Sequence, residues 1–126
     1  MDYYSFKNSI SDNYGSFYDE QFEIYFDRAI QSAEKGEIDS AIQIAKDALF
    51  ISKFTSIGYD KIYLIGLLIR LFIDNNQPEY ANLFFNFGMK IINANYLLSS
   101  DNELVDDINS FLDLRIEIEN KLNFIS

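Results

Sequence analysis

The chain predicts an all-α fold of about five helices, and three features of its 126 residues carry that prediction. Apolar side chains recur at steps of three and four in several separate segments, which is the period of one face of an α-helix. One Pro and five Gly are too few for a loop-rich or all-β design. The run Ile62–Ile73 is apolar on nearly every face, so it must be surrounded by other parts of the structure.

The run Ile62–Ile73 predicts a buried central helix. As a helix it is roughly 18 Å long at about 1.5 Å per residue, which is too short for a hydrocarbon layer about 30 Å thick. Asp60 and Lys61 precede it and Asp74 follows it, so charged residues limit its length. We therefore expect a helix from about Tyr59 to Asp74 inside a protein core, and no membrane span.

The two segments before the central run predict an antiparallel helical hairpin. A first helix covers about Tyr18–Lys35 and ends at Gly36, which suits the left-handed position after a last helical turn. A second helix begins at Ile38, and a connection this short forces the two helices to run antiparallel. Small side chains allow the two helix axes to approach closely, namely Ala29, Ala41, Ala45 and Ala48.

Two more helices follow the central one. Pro78 suits the first turn of a fourth helix that extends to about Ala94. Gly88 in the interior of that helix costs about 1 kcal/mol relative to Ala, so close backbone contact at that position is expected. A fifth helix, about Asp101–Phe124, has a narrower apolar stripe, which is typical of a helix that closes one side of a structure.

Residues 1–17 predict an irregular, aromatic-rich N-terminal arm, and residues 18–126 predict a single helical domain. The first residues lack the basic start and apolar run of a secretory signal. With no such signal and no spanning segment, the expected localisation is cytoplasmic.

The segment Tyr25–Ile51 resembles a tetratricopeptide-type repeat, a helix-turn-helix with small residues at three positions, a Gly at the turn and an aromatic residue near its start. Tyr25 stands at the aromatic position and Gly36 at the turn. The small positions are occupied by Ala29, Ala41 and Ala48. A second unit, Ile65–Ile92, is a looser match.

The second unit has Ala81 and Gly88 at the small positions of its second helix, Asn76 where the turn Gly would stand, and Ile69 at the third small position. Ala81 lies 40 residues after Ala41, against about 34 in the usual repeat. Over residues 25–92 the resemblance implies stacked antiparallel hairpins with a C-terminal capping helix, and such stacks commonly bind proteins or peptides along one face. An ordinary five-helix bundle uses the same spacings.

The net charge of −10 is concentrated at the two ends of the chain. Residues 1–27 and residues 101–126 each carry a net charge of −5, and the residues between them are neutral overall. An acidic surface repels phosphate backbones and anionic membranes, so neither nucleic acid nor a membrane is an expected partner. A basic protein is attracted by such a surface, and the alternative interpretation is solubility alone.

The sequence offers little catalytic chemistry. It contains no His and no Cys, and no phosphate-binding loop, nucleophile elbow or metal-ligand cluster. The carboxylates of the first helix could act as an acid–base pair or hold a hard cation, but a solvated helix face opposite Phe22 and Phe26 is favoured. We therefore expect no enzyme, no cofactor and no metal.

Arg70 is the one charged residue inside the buried run. Either its guanidinium reaches solvent along the helix surface or it pairs with a buried acid such as Asp74. The first alternative is favoured.

These observations predict a non-enzymatic acidic protein-binding module, for example an immunity- or antitoxin-type inhibitor that masks the basic surface of a nuclease toxin. The predicted partner-binding residues are Tyr18, Asp19, Glu20, Glu23, Asp27, Asp106, Asp107, Asp113, Glu117 and Glu119. The alternative is a tetratricopeptide-like scaffold or chaperone that binds a peptide in an apolar groove. A homo-oligomer is compatible with either function.

Overall fold

The computed structural model is an all-α fold, as the apolar periodicity predicted. It describes Tyr3 and residues 17–55, 60–95 and 102–125, and leaves the side chains of residues 60, 93–95, 102–108, 110, 124 and 125 undescribed. No strand occurs in these ranges. The five helices are α1 Phe17–Glu34, α2 Ile38–Ile51, α3 Asp60–Asp74, α4 Pro78–Asn95 and α5 Asn102–Ile125.

The helices form two antiparallel hairpins, α1–α2 and α3–α4, and α2 packs against α3 between them. Helix α5 contacts both α3 and α4, so it closes the second hairpin as a terminal helix. Most of the predicted arm lies outside the described residues. Its Tyr3 is buried.

The two hairpins turn in the same way. Gly36 has a φ of +82° and Asn76 a φ of +59°, both in the left-handed region. In each turn, the residue after the left-handed one donates its backbone N–H to the carbonyl oxygen five residues earlier. Glu37 donates to Ser32 at 2.9 Å, and Gln77 donates to Phe72 at 2.8 Å. This is the hydrogen-bond pattern of a Schellman motif, and Asn is the usual substitute for Gly in it. Asn76 thus takes the role of the turn glycine, 40 residues after Gly36.

Helix α3 is the buried centre of the molecule. All of its Leu and Ile side chains are buried, including Leu64, Leu67 and Ile69. Helices α2, α4 and α5 all pack on it. The prediction that the apolar run Ile62–Ile73 forms a core helix is therefore confirmed.

The backbone of Gly88 lies in close contact with its neighbours, but these neighbours are side chains and not another backbone segment. A Cβ atom at Gly88 would collide with the ring of Phe111 and approach Cγ2 of Ile65 to 3.2 Å. The close neighbours are therefore side chains of α5 and α3. The ring of Phe111 is itself stacked on Phe85, with centroids 5.2 Å apart, so it is held against the glycine.

The connection after α2 begins with a regular turn. The chain continues α2 directly into a short 3₁₀ turn, Ser52–Phe54. Ser52 donates its hydroxyl to the carbonyl of Leu49, and Thr55 donates its own to the carbonyl of Ser52 at 2.8 Å. This turn positions Lys53 and Phe54 beside the end of α2.

Candidate functional site

The predicted acidic face of α1 is only partly solvated. Glu20 is exposed, and Glu23 and Asp27 are half-buried. Asp19 is 3% exposed, so the prediction that it belongs to a solvated face is wrong. It lies in the first turn of α1, where the backbone N–H groups favour a carboxylate.

The predicted acids of α5 divide into three groups. Asp106 and Asp107 lie on α5, but their side chains are outside the described residues. Asp113 is exposed. Glu117 pairs with Arg70, and Glu119 pairs with Arg115 at 3.0 Å. The two paired carboxylates are partly neutralised within the protein, which lowers the charge available to a basic partner.

Arg70 is 8% exposed and is bound by carboxylates, so the favoured expectation that its head reaches solvent is wrong. Its Nε and Nη2 atoms lie 3.2 and 2.9 Å from Oδ1 of Asp74, and Nη1 pairs with Glu117. Burial lowers the pKa of Arg70, but the hydrogen bonds and charges of Glu117 and Asp74 outweigh it and raise the pKa overall. The guanidinium is therefore held in its charged form.

Tyr3 completes this group of side chains, which we call the Arg70 cluster (Tyr3, Arg70, Asp74 and Glu117). Its hydroxyl donates to Oδ2 of Asp74 at 2.6 Å, and its backbone N–H donates to Glu34 at 3.1 Å. Burial and the neighbouring Asp74 carboxylate raise the pKa of the Tyr3 hydroxyl well above its usual value. The cluster ties the N-terminal region to α1, α3 and α5.

Two concavities that share Lys46 lie between α2 and α4 over the surface of α3, and we call them together the α2/α4 groove. Near the hairpin turns it is lined by Asp39 of α2 and by Gln77 and Tyr80 of α4. At its other end it is lined by Phe50 of α2 and Phe87 of α4. The same order of lining residues along both helices means that α2 and α4 run parallel along the groove.

Aromatic rings form the floor and one wall of the groove. Phe72 of α3 stacks on both Tyr80 and Phe84 of α4, with centroids 5.5 and 5.4 Å away. Lys46 of α2 lies over the other side of the floor, with its Nζ 5.6 Å from the centroid of Phe72. A single ring of the floor is therefore in contact with both walls.

The wider end of the groove holds about 410 Å³ and is mostly apolar. Its lining residues are Lys46, Leu49, Phe50, Lys53, Lys61, Phe84 and Phe87. Phe50 is 58% exposed and Phe87 is 41% exposed, which is unusual for large apolar side chains. Apolar surface gathered in a concavity is typical of a site that binds another apolar surface.

Exposed rings continue from this end of the groove to the start of α1. Phe50 contacts Phe54, Phe54 contacts Tyr18, and Tyr18 contacts Phe17, with centroids 5.3 to 5.6 Å apart. Tyr18, predicted as a partner-binding residue, is exposed and lies in this aromatic row. The structure therefore brings it close to the groove, whereas the acids predicted alongside it lie elsewhere on α1 and α5.

Reasoning from the sequence missed the groove residues. A signal for them exists, because Phe50 on α2 and Tyr80 and Phe87 on α4 fall outside the apolar stripes that those helices bury. Large apolar side chains off the core stripe indicate an exposed patch. Their convergence across α3 depends on tertiary structure.

The described residues show no group of three or more carboxylates that could hold a metal ion. Within the same ranges, no helix has both the length and the apolar character needed to cross a bilayer. No family model, no curated protein and no solved structure matches the chain. The resemblance to tetratricopeptide-type repeats therefore stays a prediction.

Proposed function

We propose that this protein is a non-enzymatic binding module that holds an amphipathic segment of a partner protein in the α2/α4 groove. The observation that carries the proposal is the concave apolar end of the groove, with Phe50, Phe84 and Phe87 around about 410 Å³ of space. The wall formed by α2 and the 3₁₀ turn after it extends from Asp39 to Lys53 and spans roughly 21 Å at about 1.5 Å per residue. That length matches about four turns of a bound helix.

The groove is a better candidate than the acidic surface because its residues are available for binding. Asp19 is buried, and Glu117 and Glu119 are engaged by arginines. Phe50, Tyr80 and Phe87 are exposed. Burying a large apolar side chain contributes about 1.5–3 kcal/mol before the cost of ordering the complex. A few such contacts are consistent with a transient complex of micromolar affinity.

A neutral amphipathic peptide tests this proposal because it supplies the apolar face of a partner helix and carries no charge. The probe is a fluorescein-labelled helical peptide of about 16 residues, with Leu or Phe at positions i, i+3, i+4 and i+7 and Gln elsewhere. We expect saturable binding by fluorescence anisotropy, a negative heat capacity change, and little dependence on salt.

Two matched variants locate the binding. Phe50→Ser combined with Phe87→Ser removes two groove rings and is expected to weaken binding at least about tenfold. Ile116→Ser is the control, since Ile116 is 60% exposed on α5, away from the groove lining. Equal affinity of the double variant and the control, or no binding of any amphipathic peptide, would contradict the proposal.

A second candidate function is the acidic inhibitor of a basic toxin. It is favoured by the net charge of −5 at each end of the chain and by the exposure of Glu20 and Asp113. Its test is the charge reversal Glu20→Lys with Asp113→Lys, measured against a basic nuclease domain. This function requires the on-rate to fall steeply with salt and with the reversal. A cytoplasmic localisation belongs to both proposals.

A further inference from the structure

We infer that the partner segment of the α2/α4 groove is acidic as well as amphipathic. This inference rests on the proposed function and adds the charge of the ligand. The supporting observation is the position of the basic residues. In a chain of net charge −10, three of the ten basic side chains lie together at the apolar end of one groove. They are Lys46 of α2, Lys53 of the 3₁₀ turn that follows α2, and Lys61 of α3. None of the lining residues at this end in the described part of the chain is acidic.

The lysines are held in position by aromatic rings. The Nζ atom of Lys46 lies 5.6 Å from the centroid of Phe72, and that of Lys53 lies 5.2 Å from the centroid of Phe50. A cation–π contact orients an ammonium group and leaves its charge uncompensated. Among the ion pairs of the described residues, none involves Lys46, Lys53 or Lys61. Their charges therefore remain available to a ligand in the groove.

The arrangement defines the sequence pattern of the ligand. Lys46 and Lys53 are two helical turns apart on one wall, which corresponds to about 10.5 Å. A bound helix with carboxylates at the same spacing can face both lysines, while its apolar stripe contacts Leu49, Phe84 and Phe87. Lys61 lies at the same end of the groove and can meet a further carboxylate.

The overall negative charge favours a peptide over a nucleic acid. The protein repels a dense polyanion at long range, and the three lysines compensate only within about a Debye length of 8–10 Å. A short segment with a few carboxylates avoids this long-range repulsion.

The test uses three peptides that share the apolar positions of the neutral probe and carry Glu, Gln or Lys at the polar positions. At about 50 mM salt we expect the Glu peptide to bind roughly tenfold more tightly than the Gln peptide, because three exposed charge pairs contribute about twofold each. The Lys peptide is expected to bind most weakly. Raising the salt to about 500 mM should remove most of this preference.

Charge-matched triple variants identify the lysines responsible. Lys46→Gln, Lys53→Gln and Lys61→Gln together should make the Glu and Gln peptides bind equally, with the affinity for the Gln peptide unchanged. The control replaces Lys35, Lys90 and Lys121 with Gln, since these exposed lysines lie outside the groove lining. Both variants lose the same three charges, so the control should keep the preference for Glu.

The remaining outcomes overturn the inference in distinguishable ways. If no peptide binds, the proposed function fails with it. If the Gln peptide binds as tightly as the Glu peptide, the acidic ligand is wrong and the groove remains a binding site. Tightest binding of the Lys peptide, or of a single-stranded oligothymidylate, assigns another partner class. A dimer of the unliganded protein that dissociates in the Phe50→Ser, Phe87→Ser variant would make a second copy the occupant.

Discussion

The Arg70 cluster and the α2/α4 groove use positive charge in opposite ways. In the cluster, the Arg70 guanidinium is nearly buried and carboxylates from α3 and α5 bind it. In the groove, Lys46 and Lys53 lie over aromatic rings, and no carboxylate among the described residues pairs with them. A charge that is paired inside the protein contributes to the fold, whereas three lysines gathered at one apolar concavity, with no ion pair among the described residues, favour an acidic ligand.

The largest expected effect is the loss of stability on replacing Arg70, which should leave binding in the groove unchanged. Arg70→Ala leaves the carboxylates of Asp74 and Glu117 without their cation. Because these side chains are 25% and 47% exposed, water compensates for part of the loss, and we expect a cost of about 1.5–3 kcal/mol. We expect that loss in the free energy of unfolding by urea denaturation, with unchanged peptide affinity of the folded fraction. Glu117→Gln, a milder change, should lose less stability and keep the protein folded.

The control for the cluster is Arg115→Ala. Arg115 pairs with Glu119 on the exposed surface of α5, where such pairs contribute about 0.2–1 kcal/mol. If Arg70→Ala costs no more than this control, the cluster does not stabilise the fold.

The next largest effect is the loss of stability expected for Gly88→Ala. Gly88 contacts Phe111 of α5, whereas other residues of α4 line the groove. Gly88→Ala forces a methyl group into the ring of Phe111, and overpacking of this kind costs about 1–3 kcal/mol despite the better helix propensity of Ala. Thermal unfolding measures it. Asn86→Ala, at an exposed position of the same helix, is expected to change stability by less than about 0.5 kcal/mol. If Gly88→Ala does not change the stability, α4 and α5 are packed less closely than the contact between Gly88 and Phe111 indicates.

A smaller effect, with a characteristic pH dependence, belongs to Tyr3. Tyr3→Phe removes its hydrogen bond to Asp74 and should cost about 1–2 kcal/mol near pH 8. Because folding raises the pKa of Tyr3, its stabilisation is complete below the unfolded tyrosine pKa of about 10 and declines at higher pH. The difference between wild type and Tyr3→Phe should thus shrink by up to about 1.4 kcal/mol per pH unit above pH 10. A constant difference from pH 8 to pH 11 would contradict the raised pKa.

The smallest expected effect is on the groove side. Replacing Lys46, Lys53 and Lys61 with Gln breaks no ion pair between described residues, so the free energy of unfolding should change by less than about 1 kcal/mol in total. Chemical denaturation of this variant beside the wild type measures the change. A loss as large as that of Arg70→Ala would mean that the lysines serve the fold.

Much of the fold was predictable because local chemistry and burial agree along the chain. The run Ile62–Ile73 is apolar on nearly every face and becomes the core helix α3. Gly36 takes the left-handed turn that its position after Lys35 predicted, and Asn76 takes the equivalent turn. The helix ends are within about two residues of those predicted, which is the ordinary uncertainty of such boundaries.

The candidate site was much less predictable, since it depends on which helices become neighbours. Nothing local to Arg70 reveals that Glu117, 47 residues away in sequence, will pair with it. Nothing local to Asp19 reveals its burial. Phe50 and Phe87 form one groove only because α2 and α4 both pack on α3. Sequence charge therefore pointed to the acidic ends of the chain, whereas the tertiary structure points to a groove between the second helices of the two hairpins.

The most direct measurement is a ¹H–¹⁵N NMR titration of the full chain with the neutral amphipathic peptide, since it reports the binding site by residue. If the peptide binds in the α2/α4 groove, we expect the largest chemical-shift changes on α2, on α4 and at Lys61. The amides around Glu20 and Asp113 should change little. Changes centred on α1 and α5, with the amides of Phe50, Phe84 and Phe87 unaffected, would contradict binding in this groove.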